Sequence, residues 1–294
     1  VAVACRRKDS YEIEKMYSPD NANSLIPELQ ELSAAGTCLI GFDFPIGLPS
    51  AYGINRAFDS WREAMVIIQK PSSGKFFEVS DTPSLQQPFY PKSPGKKGQH
   101  RRARLVKAMG FDEEHQLYRT CEQPTDHRRR ASCLFWTIGG QQVGRAALHG
   151  WQHALLPHRN AISMWPFDGS LAQLFALPKP VIVEMYPAEY YHLINAPRGR
   201  WSKRKSADRK ALAVGIYRHL KKLGVSMTDV VSRAVDKGFD SEDEFDAFVG
   251  LLGMLSVVLG HLPTDPPPRV PDISIEGWIF GQKHSSAQRS IRHR

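Results

Sequence analysis

Three observations predict an α/β fold for this chain. Two short, nearly continuous apolar runs, TCLIGFDF at 37–44 and VIVEM at 181–185, suit strands buried on both faces. Segments of helical periodicity alternate with them, which favours a mixed or parallel sheet. The 294 residues are 41% apolar and 23% charged, enough for a real core and against a disordered or fibrous chain.

The elements follow in order. Residues 1–7 and 11–17 flank Lys8-Asp9-Ser10 and predict a β-hairpin. Leu25, Ile26, Leu29 and Leu32 recur at helical spacing within 23–35, and Gly36 stops that helix. The strand at 37–44 comes next, then a helix over 59–69. From 70 to 137 the prolines at 71, 83, 88, 91, 94 and 124 break the periodicity and leave one helix, 99–109. The stretch from about 70 to 160 is expected as an irregular insertion, with Phe76, Phe77, Phe89 and Tyr90 available to a lid or a nucleic-acid-contacting arm. A helix over 142–156 and a short strand over 161–165 precede the second apolar strand. Pro187 then fits the first turn of a helix over 186–195. An amphipathic helix is predicted over 206–223, with Ala211, Ile216 and Leu220 inward, and a long buried helix over 241–262. That gives a single domain over 1–282 and a basic disordered tail over 283–294.

No charged-then-apolar leader is visible, and no apolar stretch reaches the roughly eighteen residues of a membrane span. Cys5, Cys38, Cys121 and Cys133 form no CxxC pair, against a disulfide framework or zinc ribbon. A cytoplasmic setting without a membrane partner is expected. The net charge of +9 is clustered: residues 92–130 carry +6, 198–222 carry +9 and 283–294 carry +4. Such clustering is the footprint of a polyanion binder, since Lys and Arg release counterions from phosphates; a solvated basic surface is the plainer alternative.

Four acids fall at telling places. Asp43 ends the strand in FDFPIGLP, and Glu184 takes the same position in VIVEMYP. Asp243 and Asp246, in DEFDAFVG, share one face near the start of the long helix. Ligands of open α/β sheets gather at strand carboxyl ends, and carboxylates converging there suit Mg²⁺ or Mn²⁺. Each acid also has a structural reading: a turn cap for Asp43, an arginine pair for Glu184, the helix macrodipole for Asp243. Asp246, deeper in an apolar helix, is harder to dismiss.

The segments GFDFPIGLP (41–49), VEMYPAEYY (183–191), SKRKSADRK (202–210), DEFDAFVG (243–250) and EGWIF (276–280) carry a resemblance. In order and over most of the chain they resemble the domain of unknown function 429 family of predicted nucleases. FWTIGGQQVG (135–144) and MWPFDG (164–169) are similar to its larger-insertion branch. The resemblance implies a ribonuclease-H-like fold, a mixed central sheet flanked by helices, with Asp43, Glu184 and Asp246 around divalent metal. Asp243 would be an auxiliary ligand or base, and Lys203, Lys205 and Arg209 would hold phosphate oxygens. It also implies a further acid on a strand ahead of the hairpin, and no such residue precedes Val1 in this sequence.

His149 and His153 have the i, i+4 spacing of a metal pair, but no Glu follows as in HExxH. The glycines of IGGQQVG lack the GxxxxGK[ST] frame, and no GxSxG elbow is present. The expected function is therefore a metal-dependent nuclease hydrolysing phosphodiester bonds in DNA or RNA. The alternatives are a nucleic-acid-binding protein of the same fold without catalysis and an actin-like nucleotide phosphotransferase.

Overall fold

A computed structural model describes residues 1–283 except 20, 33–35, 96–100, 140–141, 200, 269 and 271; the tail at 284–294 lies outside the described residues. The predicted hairpin forms as β1 (Ala2–Arg7) and β2 (Ser10–Met16), antiparallel, with Arg7 opposite Ser10. Helix α1 (Leu25–Leu32) leads to β3 (Leu39–Phe42), and α2 (Ser50–Asn55) and α3 (Trp61–Ile67) follow. Ser60 caps α3 by accepting from the Glu63 N–H at 3.1 Å. Among the described residues of the proline-rich stretch only α4 (Arg102–Met109) is an α-helix, closed by Gly110 in the left-handed conformation.

Helix α5 (Val143–Gly150) runs through a π-helical turn at Trp151–Leu155 into α6 (Leu156–His158). Then come β4 (Ser163–Met164), α7 (Leu171–Phe175), β5 (Val181–Glu184) and α8 (Pro187–Tyr190). The single helix expected over 206–223 is two, α9 (Ser206–Lys210) and α10 (Ala213–Leu223), stepped at Ala211 and Leu212. Three further elements follow: β6 (Val225–Met227), α11 (Asp229–Lys237) and, after the long helix α12 (Glu242–Val258), α13 (Ile273–Glu276).

The fold is mixed α/β, with its strands in two small sheets in place of one central sheet. One is β1-β2-β6, in which β6 runs parallel to β2; the other is the all-parallel β3-β5-β4. Helix α12 packs on both β1 and β3, the outer strands of the two sheets, and no strand among the described residues pairs with their free edges. The parallel sheet separates two cores. Ile40, Phe42 and Ile182 point into one, with Tyr52, Trp61, Phe89 and Trp151, while Val181 and Val183 point into the other, with Phe245, Phe248 and Leu252. Burial on both faces is why 37–44 and 181–185 read as continuous apolar runs.

The stretch expected to be an appended insertion is instead part of the first core. Phe76, Phe89, Leu105, Leu117 and Phe135 are essentially inaccessible to solvent and pack with residues of α2 and α3. Its side chains are apolar without being periodic, so burial there is invisible to a periodicity argument. No helix among the described residues is long and apolar enough to cross a membrane.

Candidate functional site

The site stands where β3 ends over the first turns of α12. The loop carrying Asp43 is fixed from behind. Trp151, fully buried in the π-helical turn, donates its indole N–H to the Pro45 carbonyl at 2.7 Å. Phe44 stacks on Phe42 with ring centroids 5.0 Å apart and lies against Gly150, where a Cβ would come within 2.2 Å of the ring. On α12, Ser241 accepts from the Glu244 N–H at 3.0 Å, and Glu242, Asp243 and Glu244 place negative charge on the helix N-terminus. Asp246 lies one turn further in and is buried, whereas Asp243 is exposed.

These positions bring Asp43, Asp243 and Asp246 within electrostatic reach of one another. Asp246 accepts from the Tyr191 hydroxyl on Oδ1 and is ion-paired with Lys203 Nζ through Oδ2. Burial pushes the Asp246 carboxyl up, opposed by Lys203 and the Tyr191 hydrogen bond. Crowding by protein and then Asp246 push Asp43 up as well, with Lys203 opposing. Asp43 nevertheless keeps an exposed side chain, so water screens part of that repulsion. Burial works against the Lys203 ammonium, but Asp246 and Asp43 outweigh it and hold the group above the usual lysine range. Burial, then Asp246, raises the Tyr191 phenol, which remains a neutral donor.

Two expected site residues are used otherwise. Glu184, expected as a metal ligand, is the counter-ion of Arg119: Nη1 and Nη2 each donate to one of its oxygens at 2.7 Å, and the Ile46 N–H donates to Oε2 at 2.7 Å. Arg119 is 0% exposed, so its charge requires a carboxylate, and the strand end supplies it. Arg209, expected on phosphate, is buried, with its guanidinium donating to the carbonyls of Gly238 at 2.6 Å, Lys203 at 2.6 Å and Phe239 at 3.0 Å. It fixes the basic loop to the end of α11. Lys205 is exposed beside Arg204, as a phosphate contact requires.

Tyr191 and Arg119 are the residues that sequence reasoning missed. Tyr191 stands inside the VEMYPAEYY segment, where three tyrosines, two of them adjacent, are its signal. Arg119 has none, being one basic residue among many.

Among the described residues, no three His, Cys, Asp or Glu side chains form a group able to hold a metal ion. His149 and His153 do meet, with ring centroids 4.6 Å apart, but only as a pair. With Glu184 committed to Arg119, the acids do not fit a two-metal cluster. The acids left that could hold a single hard cation are Asp43 and Asp246; Mg²⁺ is commonly held by one or two carboxylates, with water and substrate phosphate completing its shell. Asp43 and Asp246 supply that pair, and their repulsion is now offset by Lys203, whose exposed stem can withdraw. In comparisons with protein-family models, curated proteins and solved structures, nothing matches this chain.

Proposed function

We propose that this chain is a nuclease of the ribonuclease-H-like kind, binding DNA or RNA and hydrolysing its phosphodiester bonds with one Mg²⁺ or Mn²⁺. The observation that carries the reading is the meeting of Asp43 and Asp246, from a strand end and a helix, with Lys203 beside them. The segment resemblance to the domain of unknown function 429 family supports it, as does the basic segment that supplies Lys203 and Lys205.

Asp43 and Asp246 would hold the ion, which when bound offsets their charge and polarises a phosphate oxygen. Lys203, released from Asp246, offers its ammonium to a phosphate oxygen, and Lys205 with Arg204 holds the adjoining backbone. Tyr191 keeps Asp246 in place. Asp243, exposed a turn away, is placed to assist as an auxiliary ligand or base.

Labelled single- and double-stranded DNA and RNA, incubated with Mg²⁺, Mn²⁺ or EDTA, test the reading. Metal-dependent cutting that falls roughly a hundredfold or more in Asp246→Asn and Asp43→Asn, with binding retained, is expected. Binding without cutting under every condition would leave the second reading, a nucleic-acid-binding protein without catalysis. The pairing of Glu184 with Arg119 and of Asp246 with Lys203 favours that alternative.

A further inference from the structure

Away from the acids, two imidazoles lie face to face. His127 and His192 stack with ring centroids 3.7 Å apart and planes 10° from parallel. Glu189 organises the stack. Its carboxylate takes Arg128 Nε at 2.7 Å, which ties the loop bearing His127 to α8, and its carbonyl lies 2.8 Å from His192 Nδ1. With Nδ1 donating to that carbonyl, neutral His192 keeps its lone pair on Nε2, and uptake of a proton turns Nε2 into a donor.

Two permanent cations join them. Arg198 donates to the carbonyl of Asp126, next to His127. Lys283 is brought alongside by the C-terminal segment, in which Gln282 Nε2 donates to the Cys121 carbonyl at 3.0 Å and Trp278 donates to the Gln282 carbonyl at 3.1 Å. His127, Arg198 and Lys283 are exposed, and His192 is half-buried.

The charged neighbours of the two rings are these groups, with Asp126 beside His127 and His219 near His192. Burial, then Arg198 and Lys283, hold His127 below the usual histidine range, with Asp126 opposing. Burial, then His127, brings His192 down to about 4, with Lys283 and His219 adding to the effect and the Glu189 carbonyl opposing it. The Glu189 carboxylate is engaged by Arg128, which leaves Asp126 as the acid that opposes the cluster's cations. An oxyanion would offset Arg198 and Lys283, accept from the imidazoles and favour their protonated form against the cost of burial.

We propose that His127, His192, Arg198 and Lys283 form a phosphate-binding site that takes up a proton as its ligand binds. The phosphate is either inorganic or carried by a nucleic-acid strand, and the site's existence does not depend on hydrolysis at Asp43 and Asp246.

The test uses the whole chain without divalent metal, so its outcome is separate from that of the cleavage assay. Sulfate is the first probe because its charge is constant with pH; inorganic phosphate and oligonucleotides with and without a 5′ phosphate follow. Sulfate and phosphate are expected to shift the His127 and His192 ring signals in NMR spectra. Sulfate affinity is expected to rise about tenfold between about pH 7.5 and about pH 5.5 by proton linkage. His127→Gln and Arg198→Gln, both at exposed positions, should each weaken it by about tenfold. Proton-linked binding of an oligonucleotide that depends on its 5′ phosphate would support the proposal with a strand end as ligand, and binding that does not would support it with internal phosphates. Ring signals that ignore both anions, or sulfate affinity unchanged by pH and by His127→Gln, would overturn it.

Discussion

Arg119 shows how much one side chain organises. Its Nε donates to Glu122 at 3.0 Å, and Nη1 also reaches the carbonyls of Ile46 and Glu276, both at 3.1 Å, while its neighbour Thr120 donates its N–H to the Glu276 carboxylate at 2.6 Å. Four segments distant in sequence are joined at one buried guanidinium. Removing only that partner leaves the Glu184 carboxylate buried and uncompensated. Arg119→Met is therefore expected to cost about 3–5 kcal/mol in a denaturant titration, and pairing it with Glu184→Met should recover a substantial part. A double variant as unstable as the single one would show that the ion pair is not the origin of the loss.

At the scale of the element, the loop from Asp43 into α2 is held by backbone geometry as much as by side chains. Gly47 has φ +125°, and a Cβ there would lie 2.3 Å from the Glu276 carbonyl oxygen. The Leu48 N–H donates to the Ile275 carbonyl at 2.9 Å, so α13 and the loop are locked side by side. Gly47→Ala combines a disfavoured conformation with a backbone clash, and a loss of about 3 kcal/mol or more is expected by thermal or chemical denaturation. Because Asp43 hangs from the same loop, the proposed nuclease activity should fall with stability. A variant as stable as the parent would refute this account of the loop. The π-helical turn has a comparable role: without it Trp151 would not present its N–H to Pro45.

Across the whole molecule, the two cores are held together by the parallel sheet on one side and by α12 against β1, β3 and α8 on the other. Histidine burial links this assembly to pH. His219 of α10 is buried, and its Nε2 lies 2.9 Å from the Ser256 hydroxyl of α12. Burial, followed by Lys222 and His261, lowers it to about 4. A histidine depressed on folding contributes stability that is present above its unfolded value of about 6.5 and is lost as pH falls toward the folded value. Denaturation in the absence of sulfate and phosphate should therefore show a loss on the order of 2 kcal/mol between about pH 6.5 and about pH 4.5. His219→Gln should make that slope shallower, with His192 carrying the remainder, and an unchanged slope would place the linkage elsewhere. The basic segments belong to this scale too, since they lie far apart in sequence yet Arg198, Lys203 and Lys283 reach the two candidate sites.

The hairpin, both apolar strands, the long helix and the α/β class were legible in the sequence because each rests on local periodicity or on a turn signal. Asp43 and Asp246 were legible too, as charges standing where an apolar run should continue. The short β6 was not, since three residues of strand carry no pattern, nor was the burial of the proline-rich stretch, whose apolar residues pack without a period; α11 was missed although Val231, Ala234 and Val235 recur at helical spacing and Gly238 closes it. Partnership lay furthest from view. Sequence marks where a charge sits, but whether Glu184 meets Arg119 or a ligand, whether Arg209 meets carbonyls or phosphate, and whether His127 lies on His192 are decided by contacts between distant segments. Those contacts form only once burial has made an unpaired charge too costly to keep, and only the tertiary structure sets which partner is at hand.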